Sequence, residues 1–211
     1  MNKIIFSTIL VFALIIYLTI MSDTKEKYNY SPLKSDAVIL AYGDSLTYGF
    51  GVKKKFSYPS VLEKKSGLKV INAGVSGEIS ADGLKRLPKF LEQNPDLVIL
   101  CHGGNDILKK HSYEQLKNNL LAMINLIKQS GAEVLLIGVP NLSFTGVRVL
   151  SLYDEIAKKT EVIYEDEILP KVMRNRAYKS DYIHPNEIGY EMMADAFLKI
   201  LIKHNILNNT N

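Results

Sequence analysis

The sequence predicts an α/β protein, a three-layer α/β/α sandwich around a parallel sheet of about five strands. Two observations predict it. Short, continuously apolar runs alternate with amphipathic stretches of helical length, and continuous apolar strands mark a parallel sheet covered on both faces. Polar, glycine-bearing motifs then follow the apolar runs rather than precede them. Ligand sites of such sheets gather there, beyond the carboxyl ends of the strands.

The elements follow in order. Ala37–Tyr42 is an unbroken apolar run and reads as the first buried strand. Tyr58–Lys65 reads as a helix that Gly67 ends. Lys69–Ala73 is the second strand, Ala81–Leu91 the next helix, and Leu97–His102, led in by Asp96, the third strand. Tyr113–Gln129 is a helix stopped by Gly131, and Glu133–Val139 the fourth strand. A helix over Val147–Lys159, a short strand over Val162–Tyr164 and a last helix from Pro185 to His204 complete the chain. Right-handed crossovers are expected between the parallel strands.

A chain of 211 residues suffices for one domain with a sizeable core. With 47% hydrophobic and 23% charged residues it falls in the ordinary globular class. The net charge of +4 is spread along the chain, and Lys53-Lys54-Lys55, the longest basic run, reads as a solvated loop. No basic stripe carries interleaved aromatics, so a nucleic-acid partner is not expected. Cys101 is the single cysteine, which rules out an intramolecular disulfide. It continues an apolar run and reads as a small core hydrophobe.

Ile4–Met21 is apolar apart from Ser7, Thr8, Tyr17 and Thr19. A spanning helix needs roughly 20 such residues and a signal-peptide core roughly 7–15. No small-residue cleavage pattern precedes Asp23. An uncleaved signal anchor over residues 1–21 is therefore expected, with a cleaved signal peptide and secretion as the alternative. The expected location is exported and membrane-anchored, on the periplasmic or extracytoplasmic face. Residues 22–36 read as a tether, 37–205 as the folded domain and 206–211 as a C-terminal tail.

Four motifs stand where the chemistry of such a sheet belongs. Gly43-Asp44-Ser45-Leu46 follows the first strand, Asn72-Ala73-Gly74-Val75-Ser76-Gly77 the second, and Gly103-Gly104-Asn105-Asp106 the third. Ser180-Asp181-Tyr182-Ile183-His184-Pro185 introduces the last helix. Acyl transfer needs a nucleophile, a base near neutral pKa and an acid that holds the base's tautomer. Ser45, His184 and Asp181 supply the three. Asp181 and His184 are close enough in sequence to share a hydrogen bond within one loop. Pro185 keeps His184 out of helical geometry and is expected as the first helical residue. A developing oxyanion needs preorganised donors, each worth about 3 kcal/mol. The Ser45 N–H, the Gly77 N–H and the Asn105 side-chain amide are the candidates. Asp44 and Asp106 are expected to hold turn backbone through Asx-type bonds. His102 ends a strand with no carboxylate placed to orient it, His111 is a bystander, and His204 is expected to be exposed. No His, Cys and Asp residues cluster with metal-ligand spacing, so no metal or cofactor is expected.

With these blocks the sequence resembles the SGNH hydrolase superfamily, the GDSL esterases and lipases. The matching residues are Gly43-Asp44-Ser45-Leu46, Ser76-Gly77-Glu78, Gly103-Gly104-Asn105-Asp106 and Asp181-Tyr182-Ile183-His184-Pro185. Gly83-Leu84-Lys85-Arg86-Leu87-Pro88 and His184-Pro185-Asn186 with Gly189-Tyr190 look closest to the branch of bacterial arylesterases, acyl-CoA thioesterases I and lysophospholipases L1. The resemblance covers Val38 to Leu201. It implies a flavodoxin-like SGNH hydrolase fold, with Ser45 as nucleophile, His184 as base and Asp181 as its orienter. It also implies an oxyanion hole of Ser45, Gly77 and Asn105. Phe50, Ile107, Leu108, Leu142, Phe144 and Ile183 are expected to line an acyl groove. The expected substrate is a small-molecule or lipid acyl ester or thioester. A carbohydrate or peptidoglycan O-acetylesterase and a non-catalytic, membrane-tethered binding module are the alternatives.

Overall fold

The computed structural model describes residues 30–143 and 146–208, so the apolar run Ile4–Met21 and Phe144 lie outside the described residues. No helix among the described residues is long and apolar enough to cross a membrane.

The expected α/β/α sandwich is present. β1 (Val38–Gly43) leads into a single helical turn, α1 (Ser45–Tyr48). α2 (Tyr58–Ser66) ends at Gly67, whose φ of 71° lets its N–H turn back to the Glu63 carbonyl. β2 (Lys69–Gly74), α3 (Ser80–Leu91) and β3 (Leu97–Cys101) follow. Then come α4 (Gly104–Leu108), α5 (Tyr113–Gln129) and β4 (Glu133–Ile137). β5 (Pro140–Ser143) and β6 (Gly146–Val149) form an antiparallel pair of their own. α6 (Ser151–Thr160), β7 (Ile163–Glu165), α7 (Ile168–Arg174) and α8 (Glu187–Lys203) complete the order.

The main sheet runs β2-β1-β3-β4-β7, parallel throughout. This is the doubly wound order, whose direction of growth reverses between β1 and β3. β3 is wholly buried, as a central strand covered on both faces must be. α2 and α7 pack against α8, while α3 and α6 pack against α5. α5 turns Leu116, Leu120, Met123, Ile124 and Ile127 into the core. Cys101 is buried among these layers, and burial pushes its thiol well above the usual range, which leaves it an inert core residue.

Two expectations are corrected. Val147–Val149 is a strand, not the start of a helix: it pairs with Pro140–Leu142, and the helix begins at Ser151. Pro185 is not the first helical residue. Asn186 caps α8, its side chain accepting from the Gly189 N–H, and Pro185 instead bridges to Lys179.

Two predictions follow from this packing. A Cβ on Gly74 would strike the Tyr48 backbone nitrogen beneath α1. Gly74→Ala should therefore cost about 1–3 kcal/mol, read as a lowered urea midpoint. Glu165 closes β7, where its Oε1 accepts from the Glu167 and Ile168 N–H groups while its Oε2 is buried without a partner. Burial outweighs those two bonds and pushes its carboxyl from 4.5 up to about 7. Between those values the unfolded chain releases the proton while the folded chain keeps it, so stability falls as pH rises through that window. Urea midpoints of Glu165→Gln across this range should lose that slope and exceed wild type at the alkaline end.

Candidate active site

Ser45 is the first residue of α1, presented at the switch point where β1 ends. Asp44 caps the turn by accepting the Leu46 N–H at 3.0 Å, so the sharp exit from the strand is held locally. His184 reaches this point from the far end of the chain. Its Nε2 stands 3.0 Å from the Ser45 Oγ. Its Nδ1 stands 2.7 Å from Asp181 Oδ2. Asp181 Oδ1 accepts two further bonds, from the Ile183 N–H at 2.8 Å and the His184 N–H at 2.7 Å. The carboxylate thus fixes the ring and the backbone of the same loop. Burial alone would raise the Asp181 carboxyl. The ring hydrogen bond and the two backbone N–H groups outweigh it and hold the group below its usual range.

These bonds decide the tautomer. An ionised carboxylate only accepts, so Nδ1 carries the proton and the Nε2 lone pair faces the serine hydroxyl. Phe50 lies against the imidazole with ring centroids 4.4 Å apart. Arg176 donates to the Asp181 carbonyl at 2.8 Å, and the Ser180 N–H donates to the His184 carbonyl at 2.9 Å. The loop is therefore closed on itself before it meets Ser45.

Asn105, in α4, donates from Nδ2 to the Glu78 carbonyl at 2.9 Å. The same nitrogen lies 3.5 Å from Asp44 Oδ2. Gly77 has a φ of 81° and open space where a Cβ would stand. It lies on the exposed β2–α3 loop, which the Asn105–Glu78 bond ties to α4.

Ser45, Asn105 and His184 share one apolar groove of about 430 Å³ with its open mouth included. Ile107, Leu108 and Ile183 line it, together with Leu46, Val139, Pro140 and Met173. Phe50 does not line it and covers His184 instead. The Leu142 side chain and Phe144 lie outside the description. Sequence reading missed Met173 because α7 carries no motif. Among the described residues no cluster of three or more His, Cys, Asp or Glu side chains could hold a metal ion.

Three residues beside the site differ from expectation. His102 does have an orienting carboxylate: its Nε2 stands 3.0 Å from Glu78 Oε2. Asp106 makes no local Asx turn. Its two oxygens take the Ser80 N–H at 2.8 Å and the Ser80 hydroxyl at 2.6 Å, where negative charge suits the start of α3. His204 is half-buried rather than exposed, and burial holds its imidazole below the usual value. Asp44 is held as expected, and its burial raises its carboxyl against the pull of His102, the Leu46 and Gly104 N–H groups and His184.

Residues 41–192, which contain all four motifs, match the GDSL-like Lipase/Acylhydrolase family. An arylesterase of Vibrio mimicus is 30% identical over 177 residues, spanning 79% of this chain and 88% of that protein. The thioesterase 1/protease 1/lysophospholipase L1 of Escherichia coli K12 is 32% identical over 171 residues, spanning 77% and 82%. The fold of the psychrotrophic esterase EstA from Pseudoalteromonas superposes with a TM-score of 0.73 at 24% identity, covering 80% of this chain and 98% of that one. The family expected from the four motifs is thereby borne out, and this chain belongs to the GDSL-like lipase/acylhydrolase family of ester hydrolases.

Proposed function

We propose that the chain cleaves carboxylic esters or thioesters of acyl chains through an acyl-serine intermediate. The observation that carries this reading is the unbroken hydrogen-bond line from Asp181 through His184 to Ser45, with 2.7 Å and 3.0 Å links. In the reaction His184 Nε2 takes the Ser45 proton as Oγ attacks the acyl carbonyl carbon. Asp181 stabilises the imidazolium that forms. The oxyanion is met by the Ser45 and Gly77 N–H groups and by the Asn105 amide. One amide hydrogen of Asn105 is committed to Glu78, and the other, with only a 3.5 Å contact to Asp44, supplies the donor. The intermediate collapses, the C–O or C–S bond breaks, and His184 returns its proton to the departing alcohol or thiol. Water, deprotonated by the same nitrogen, then releases the acid and frees Ser45.

The groove supports an apolar acyl group. Apart from polar atoms at its catalytic end, its walls are Leu46, Ile107, Leu108, Val139, Pro140, Met173 and Ile183. Such walls offer a sugar hydroxyl few partners, which favours simple or lipid-like acyl chains over deacetylation of carbohydrate. The arylesterase and thioesterase names of the relatives agree with that choice. Export with a membrane tether through Ile4–Met21 is part of the proposal, supported by the length of that apolar run.

Ser45→Ala and His184→Ala should each lower kcat for a p-nitrophenyl acyl ester on the order of 10⁴-fold or more. A fluorophosphonate probe should label wild type and spare Ser45→Ala. Near-normal turnover by Ser45→Ala would overturn the assignment. A rate series from acetyl to palmitoyl esters should rise beyond acetyl; a maximum on acetylated sugars would favour the O-acetylesterase instead. Cell fractionation should find the full chain in the membrane pellet and a chain lacking residues 1–29 outside it.

A further inference from the structure

Behind the catalytic groove lies an ionic cluster that the reaction itself does not use. Glu78 and His102 are almost completely buried, with side-chain exposures of 7% and 0%, and Arg86 is 21% exposed. Arg86 grips the Glu78 carboxylate with both arms of its fork, Nε to Oε1 at 2.5 Å and Nη2 to Oε2 at 2.7 Å. The same Nη2 donates to the Ala73 carbonyl at 2.7 Å and the Gly43 carbonyl at 3.2 Å. The guanidinium also stacks on Tyr42, 4.1 Å from the ring centroid. His102, the residue after β3, closes the cluster. The Gly103 N–H donates to its Nδ1 at 3.0 Å, so the proton sits on Nε2 and is donated to Glu78 at 3.0 Å.

The cluster therefore touches the ends of three strands. Gly43 ends β1, the Ala73 carbonyl lies at the end of β2, and His102 follows β3. The three loops that leave these strand ends carry Ser45, Gly77 and Asn105. Glu78 is the hub. Its side chain is fixed by Arg86 and His102, its carbonyl accepts the Asn105 amide at 2.9 Å, and Gly77 is the residue before it.

Stability alone gives a poor reason for such a cluster. Desolvating several charges costs as much as their attraction returns, and apolar side chains of similar volume often serve a core equally well. Geometry gives a better one, because an oxyanion donor works only if it is held in place before charge develops.

We propose that Arg86, Glu78 and His102 are positioning residues that set the Gly77 and Asn105 donors against Ser45. The inference rests on the acyl-transfer reading above. The cluster touches no reacting atom. It acts through the main chain of Glu78, which places Gly77 on one side and aims the Asn105 amide on the other.

The test uses the purified full-length protein and a p-nitrophenyl ester. Glu78→Gln keeps the side-chain shape and removes the charge that binds both partners. It should lower kcat on the order of 10²-fold, the cost of a small displacement of catalytic groups, while KM stays within about twofold. Arg86→Lys keeps a charge but loses the fork, and should fall between Glu78→Gln and wild type. Because Glu78 acts through Asn105, the two substitutions must not multiply: Asn105→Ala should cost clearly less in the Glu78→Gln background than in wild type. Should Glu78→Gln fail to fold, the same cycle is run with Arg86→Lys. Folded Glu78→Gln protein with wild-type kcat, or losses that multiply fully with Asn105→Ala, overturns the proposal. If Ser45→Ala is inert while Glu78→Gln is unimpaired, the positioning role fails and the hydrolase reading stands. A wild type inert to esters and to the fluorophosphonate probe sinks both.

Discussion

Gly43 pairs in register with Gly74 on one side and Cys101 on the other, and the whole site depends on that row. Three parallel strands finish level, so the three loops that follow them emerge side by side. Ser45, Gly77 and Asn105 are distant in sequence, and this row brings their loops side by side. The row also explains its glycines. α1 folds straight back onto the strand ends, where a Cβ on Gly43 would strike the Cys101 carbonyl and the Thr47 hydroxyl. Larger residues there would push the turn that carries Ser45 away from its neighbours.

His184 and Asp181 come from outside this row, and helix docking brings them in. α8 lies along α2, with Phe197 edge-on to Tyr58 at 5.1 Å in the core between them. Near the start of α8, the Tyr190 hydroxyl donates to the Phe50 carbonyl at 3.0 Å. Phe50 in turn lies tilted against the His184 ring, with centroids 4.4 Å apart. Packing in the α2–α8 layer and the bonds of the Asp181 loop thus act together on the 3.0 Å approach of Nε2 to Ser45.

What the sequence made legible follows from range. The apolar runs of the five main strands and the helices α2, α3 and α5 are local patterns, and they were readable to within a residue or two. The four motifs were readable because glycine, asparagine and histidine at strand ends are local as well. The β5–β6 pair was not. Val147-Arg148-Val149 is too short to separate from a helical start, and its identity depends on pairing with Pro140–Leu142. Pro185 misled for a similar reason. Proline suits the first helical position in general, but Asn186 caps better, because its side chain reaches the Gly189 N–H. Asp106 capping Ser80, and Glu78 meeting His102, are contacts across 26 and 24 residues that no spacing rule encodes.

Two histidine–carboxylate pairs stand among the described residues, and their difference shows why one of them is suited to chemistry. At Asp181 the carboxylate takes the proton of Nδ1, so Nε2 presents a lone pair to a hydroxyl at the mouth of the groove. At Glu78 the arrangement is reversed. The carboxylate takes the proton of Nε2, and the Nδ1 lone pair is already filled by the Gly103 N–H. His102 therefore has no free nitrogen to accept a proton, and Gly83 is packed so tightly against its ring that a Cβ there would collide with it. One pair leaves a basic nitrogen open to substrate, and the other uses both nitrogens to bind structure. The difference lies in which ring nitrogen the carboxylate takes, Nδ1 at His184 and Nε2 at His102, and in what meets the other nitrogen, the Ser45 hydroxyl in one case and the Gly103 N–H in the other.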